Sequence, residues 1–174
     1  MTDILDTLKQ EHGALRELFA KINATADSEK DARKDLLKQI EAALIPHAKW
    51  EETVFYPAFA ERATFDEQLI QAEAIQEHRA VEKAVLPDIH AADFDSRQFA
   101  GSVKVLSQMI EHHAHEEETV MFAAARQLFS AAELADFDTK YAEWKKSSAA
   151  AAVSGFAKVK TAIKGTMHSP QSPG

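Results

Sequence analysis

The chain has 174 residues, 45% hydrophobic and 28% charged, enough for one packed core with an appendage and too few for two comfortable domains. A net charge of -8 argues against a general nucleic-acid surface, and the absence of cysteine removes disulfides, thiolate ligands and thiol nucleophiles. With only 5 Gly and 5 Pro, few β-branched residues and much Ala, Leu, Glu, Lys and Gln, the composition favours helix throughout.

Apolar residues recur at alternating spacings of three and four, the mark of helices that bury one stripe. The first predicted helix carries Leu5, Leu8, His12, Leu15, Phe19 and Ile22. The second carries Ile40, Leu44, His47, Glu51, Val54 and Ala58, and Pro46 predicts a kink because it lacks the amide that would bond to Ala42. The third reads Ala74, His78, Val81, Val85 and Ile89. The fourth reads Phe99, Val103, Leu106, Ile110, His113, Glu117, Val120 and Ala124. Thr64 with Glu67, Asp95 with Gln98, Ser130 with Glu133 and, less well, Ser28 with Asp31 have the spacing of capping boxes. A fifth helix is expected after Ser130, docking through Leu134, Phe137, Tyr141 and Trp144. The predicted fold is all-α: an up-down-up-down four-helix bundle with an additional C-terminal helical segment. The expected division is a bundle with its docking helix over residues 1–148 and a basic, partly disordered extension over 149–174. In that extension Lys158, Lys160 and Lys164 lie beyond the last acidic residue, Glu143, and Ala152, Phe156, Val159 and Ile163 could share a face. No signal peptide or membrane span is expected, so a cytoplasmic location is the default.

The helices repeat. Gln10-Glu11-His12 matches Gln76-Glu77-His78, and His47 to Val54 matches His113 to Val120; each pair is offset by 66, as in 78 − 12 and 113 − 47. Two helix pairs so related can pack about a pseudo-twofold axis, each giving half of what lies between. Each of His12, His47, His78 and His113 occupies a stripe position otherwise filled by Leu, Ile or Val. Glu51 and Glu117 follow their histidines by one turn on the same face. Burying these charges costs several kcal/mol each unless they are partnered. A pair of divalent ions offsets that cost, and imidazole with carboxylate suits iron, manganese or zinc. Glu-x-x-His pairs of the ferritin kind do not occur: no histidine has an acid three residues before it. Glu52, Glu116 and Glu118 lie off the ligand face and read as solvated, as do His90, His112 and His115, with His168 in the tail. Glu82 flanks the seam one turn after His78, and Arg16 holds the matching place after His12.

Over residues 3–145 the order His, His-x-x-x-Glu, His, His-x-x-x-Glu resembles the hemerythrin-like cation-binding family, also called HHE domains. Pro46 and Tyr56-Pro57 are similar to that family too. The resemblance implies an up-down-up-down bundle enclosing a non-haem di-iron centre with a solvent-derived bridge. His12, His47, His78 and His113 would be terminal ligands, and Glu51 and Glu117 would bridge. Tyr56, whose repeat partner is Phe122, matches a tyrosine that ligates iron in some relatives, although packing is its expected role here. Oxygen-carrying hemerythrins have a further histidine where this chain has Ala74, and an aspartate five residues after the fourth-helix histidine where this chain has Glu117 at four. The lost ligand points away from reversible oxygen carriage. It leaves room at the iron for dioxygen, peroxide or nitric oxide, or for a non-catalytic iron- or redox-sensing module. A protein partner is not written in the sequence.

Overall fold

The computed structural model describes the backbone of residues 2–164 and the side chains of residues 2–147. Three of its long rods are interrupted by a single π-helical segment. The first rod, α1, is continuous over Ile4–Asn23. The second joins α2 (Lys30–Trp50), a π segment (Glu51–Phe55) and α3 (Tyr56–Ala60). The third joins α4 (Phe65–Ala80), a π segment (Val81–Val85) and α5 (Leu86–Ala91). The fourth joins α6 (Arg97–Glu116), a π segment (Glu117–Met121) and α7 (Phe122–Leu128). A last helix, α8, spans Ala131–Lys164 and packs on α1 and α2. No strand occurs among the described residues, and none of their helices is long and apolar enough to cross a membrane.

The expected stripes are buried up to the π segments; beyond them the register slips at several positions, while Ile89 and Ala124 are buried as expected. A π turn holds one residue more than an α turn, so the face beyond it rotates. After Glu51 the core positions become Phe55, Tyr56 and Phe59, while Val54 and Ala58 are only partly buried. After Glu117, Met121 is 1% exposed and Val120, expected in the core, is 43% exposed. Pro46 does not divide the second rod, because α2 runs through it to Trp50.

Two of the four expected caps form as read. Thr64 and Glu67 make a reciprocal capping box. At Ser130 the hydroxyl accepts the Glu133 amide at 3.3 Å, and Glu133 accepts the Ser130 amide at 2.8 Å. The start of α6 is displaced by one residue: Ser96 accepts the Phe99 amide at 3.0 Å, while Asp95 is drawn off to Lys30 at 2.5 Å. Helix α2 begins at Glu29 without a side-chain cap, so the Ser28–Asp31 box does not form.

The expected fifth helix docks as read, with Leu134 and Tyr141 buried and Phe137 and Trp144 packed against the core. Its backbone stays helical to Lys164; the tail beyond it, and the side chains of Ala152, Phe156, Val159 and Ile163, lie outside the described residues.

The core has two apolar clusters. One gathers Ile4, Leu5, Leu8, Trp50, Phe55, Tyr56, Phe59, Met121 and Phe122 with the docking face of α8. The other gathers Leu15, Phe19, Leu37, Ile40, Leu44, Val81, Ile89, Phe99 and Leu106. In every rod a histidine separates the residues of one cluster from those of the other, so a polar layer crosses the middle of the core.

Candidate metal centre

That layer consists of His12, His47, Glu51, His78, His113 and Glu117, all at most 6% exposed. The structure brings all six together. The imidazoles face each other in pairs, Nε2 to Nε2: His12 and His47 at 3.1 Å, His78 and His113 at 3.1 Å. Each glutamate spans both pairs. Glu51 lies 3.0 Å from His47 and 3.7 Å from His78, while Glu117 lies 3.3 Å from His12 and 3.5 Å from His113. Donor atoms of His12, His47, Glu51 and Glu117 lie within 4.8 Å of one another, as do those of Glu51, His78 and His113. A π segment begins at each of the two glutamates. Its wider turn lets the carboxylate and the aromatic side chains after it share the interior.

The inward Nε2 atoms are fixed from outside. His12 Nδ1 meets Glu118 at 3.1 Å and His47 Nδ1 meets Glu11 at 2.9 Å. His78 Nδ1 lies 3.3 Å from Glu52, and His113 Nδ1 meets Glu77 at 2.8 Å. An imidazole whose outer nitrogen holds its proton against a carboxylate presents a lone pair at the inner one. These four partners obey the same offset of 66, since 77 − 11 and 118 − 52 agree with it. Sequence reasoning missed Glu11 and Glu77 and misread Glu52 and Glu118 as solvated. The side chains of Glu118 and Glu52 are only 13% and 23% exposed. A residue about 100° off the seam of its own helix faces the adjacent helix, and that is where His12 and His78 lie. The signal was present in the two Gln-Glu-His triplets and the two Glu-Glu-Thr-Val runs.

The neighbours fall into place around this ring. Tyr56 is buried; its hydroxyl donates to Glu117 Oε1 at 2.7 Å, and its ring stacks on His78 at 5.7 Å. Tyr56 therefore belongs to the site, beyond the packing role expected of it. Its repeat partner Phe122 stacks on His12 at 6.0 Å and carries no hydroxyl. Arg16 closes Glu118 at 2.8 Å and Lys49 closes Glu52 at 3.1 Å. Glu82 stays outside, exposed beside Lys83. Glu116 lies on the outer surface near His112, whose side chain is 57% exposed; His115 is exposed, and His90 meets Glu41 at 2.5 Å.

The electrostatics are those of a site short of positive charge. Burial works against protonation of His47, yet Glu51, Glu11 and Glu117 outweigh it and raise the group to about 10. Burial likewise opposes charge on His113, but Glu117, Glu77 and Glu51 raise it to about 9. Burial alone would push Glu117 up; His113, His12 and His47 hold it well below the carboxylate range. Burial, then Glu117 and Glu51, push the Tyr56 phenol far up, so it stays protonated. Even so, both oxygens of Glu51, Oε2 of Glu117 and Nδ1 of His78 are buried without an aligned hydrogen bond, their short contacts notwithstanding. Orphaned buried carboxylate oxygens are costly. Divalent cations between the imidazole pairs would satisfy the oxygens and replace the protons, so the residues present fit a metal centre.

An all-helical chain with a buried histidine–carboxylate ring is, as a class, a helical cation-binding protein. The Hemerythrin HHE cation binding domain matches residues 3–125, and the chain belongs to that family. The crystal structure of a Hemerythrin HHE cation binding domain-containing protein from Mycobacterium kansasii superposes with a TM-score of 0.74 at 23% identity. That superposition covers 88% of this chain and 91% of the other, and it shows the shared fold. A curated relative, a DNA nickase of Nostoc sp. (strain PCC 7120 / SAG 25.82 / UTEX 2576), is 25% identical over 139 residues. The match takes in 80% of this chain but only 38% of that protein.

Proposed function

We propose that this chain is a non-haem di-iron protein that binds or reacts with a small oxidant: dioxygen, peroxide or nitric oxide. In this reading His12, His47, His78 and His113 are terminal ligands, Glu51 and Glu117 bridge two iron ions, and solvent supplies a further bridge. The scaffold is read as an up-down-up-down bundle. Support for that comes from the two apolar clusters, which follow one another in opposite order along successive rods. The observation that carries the proposal is the ring of six buried donors, in which three carboxylate oxygens lack an aligned hydrogen bond.

Bound iron would supply one-electron redox chemistry and coordination positions open to a small molecule. The chain's own residues do the rest. Glu118, Glu11 and Glu77 can hold His12, His47 and His113 in the tautomer that offers Nε2 inward, and Glu52 lies 3.3 Å from the outer nitrogen of His78. Tyr56 holds a proton 2.7 Å from Glu117, where it can donate a hydrogen bond to charge developing at the centre. The apolar clusters above and below keep bulk water away.

Anaerobic reconstitution with ferrous iron tests the proposal. Metal analysis should find two ions per chain, near-ultraviolet absorption should change between oxidised and reduced protein, and peroxide or dioxygen should oxidise the reduced form over repeated cycles. A chain that takes up no iron, or takes it up equally well as His47→Ala, overturns it. The orphaned carboxylates favour a second reading, a non-catalytic module whose metal occupancy controls stability and partner binding. It gains if the loaded protein is inert to oxidants while chelation alters melting and protease sensitivity. DNA nicking is not proposed, since an acidic chain of net charge -8 offers poor electrostatics for a phosphate backbone.

A further inference from the structure

The four outer carboxylates are alike in role but not in what closes them. Arg16 of α1 closes Glu118, Lys49 of α2 closes Glu52, and Glu77 of α4 faces His112 of α6 at 3.7 Å. Those side chains all belong to the four rods. Glu11 differs. Its Oε2 accepts both His47 Nδ1 at 2.9 Å and the Tyr141 hydroxyl at 2.5 Å, and its Oε1 pairs with Lys145. Tyr141 and Lys145 come from α8, outside the repeated pairs, and the Lys145 ammonium also lies 4.8 Å from the Tyr141 ring. A short chain of contacts therefore runs from the docked helix through one carboxylate to one ligand histidine. Among the described residues no equivalent contact from α8 is seen at Glu77, the repeat partner of Glu11.

We infer that Tyr141 and Lys145 are positioning residues for one of two metal positions, the one served by His12 and His47, and that filling it is coupled to the docking of α8. The inference rests on the two-metal reading above. Tyr141 and Lys145 fix Glu11, Glu11 fixes the outer nitrogen of His47, and His47 then presents Nε2 to the ring. Without them Glu11 keeps a single partner, and its side chain, already 22% exposed, is free to turn outward. His47 then loses its fixed orientation, while the contacts of His113 with Glu77 and of His78 with Glu52 are untouched. Linkage is reciprocal, so an ion that demands the ordered His47 also favours the docked α8.

The test uses the full-length chain freed of metal, titrated without oxygen with cobalt(II), whose visible absorption reports ligation, against a competing chelator. Wild type should take up two ions. In the double variant Tyr141→Phe, Lys145→Met, one affinity should fall by about 10- to 100-fold while the other changes by less than about threefold. Lys145→Arg alone, which keeps the charge and the donor, should bind as wild type. Hydrogen exchange over residues 131–147 should slow on loading of wild type and change far less in the double variant. Circular dichroism and melting of the metal-free forms establish that the variant is folded; should it not be, Tyr141→Phe alone must still weaken one position selectively. Equal loss at both positions, no loss at either, or exchange in α8 indifferent to metal in wild type overturns the inference. Failure of wild type to bind two ions overturns the metal reading itself and this inference with it.

Discussion

An imidazole offers a metal its inner lone pair only while its outer nitrogen carries the proton, so the outer partner matters nearly as much as the ligand. Glu118 plays that part for His12, and Glu52 lies 3.3 Å from the outer nitrogen of His78. Glu118→Gln is expected to weaken metal binding by about 10- to 100-fold, whereas Glu116→Gln, two residues away on the outer surface, should leave it unchanged. Chelator competition with cobalt(II) checks both; equal affinities in the two variants would refute the role. Tyr56 allows a second comparison. Tyr56→Phe keeps the ring on His78 but strips Glu117 Oε1 of its donor. The metal-free protein should lose about 1–3 kcal/mol of stability by urea denaturation. The six inner donors were legible in the sequence because polar residues on apolar stripes stand out. Their outer partners were not, because a glutamate on a helix flank looks the same whether it faces solvent or the next helix.

At the scale of elements, the departures from the expected stripes trace to one device. The periodicity from Leu5 to Ile22 carries through α1 because that rod has no π segment, and the burial matches residue for residue. In the second and fourth rods the expected register slips at Val54 and Val120, after a π turn that adds a residue a fixed 3.6 spacing cannot anticipate; in the third rod Val85 is only partly buried but Ile89 is buried as expected. The slip at Val120 and Met121 is measurable. Met121→Ala should cost about 2–5 kcal/mol in urea unfolding, while Val120→Lys should shift stability by no more than about 0.5 kcal/mol. The order would reverse if the α-helical register held. The start of α8 gives a pH prediction. Arg62 and the Ser130 amide and hydroxyl hold the Glu133 carboxyl at about 2, below its ordinary 4.5. A carboxyl depressed by folding stabilises the folded state above its unfolded value and ceases to do so as pH falls through its folded one. The stability difference between wild type and Glu133→Gln should therefore be constant near pH 7 and shrink between about 4.5 and 2. A difference that grows on acidification would contradict the capping box.

Across the whole molecule, a polar layer divides the apolar core, and among the described residues its symmetry is broken at several places, including Tyr56 against Phe122, Arg16 against Glu82, a π segment in the third rod but not in the first, and α8 over Glu11. The layer has consequences for stability. Without metal, the neighbouring carboxylates favour protonated His47 and His113, and both oxygens of Glu51 lack an aligned hydrogen bond. Any ion that binds the folded ring and not the unfolded chain stabilises by mass action, about 2.7 kcal/mol when free ion exceeds its dissociation constant a hundredfold. For a chain of this size that corresponds to a rise of about 5–11 °C in melting temperature. Glu51→Gln removes a charge that a cation bound in the ring would need and, with it, a carboxylate that the metal-free core satisfies poorly. The variant should melt no lower than wild type when both are stripped with chelator, yet gain almost nothing from added ferrous iron under anaerobic conditions. Scanning calorimetry with and without metal separates the alternatives. If wild type melts at the same temperature in both states, the ring owes its stability to protons and hydrogen bonds; if Glu51→Gln responds to iron as wild type does, Glu51 is not a ligand.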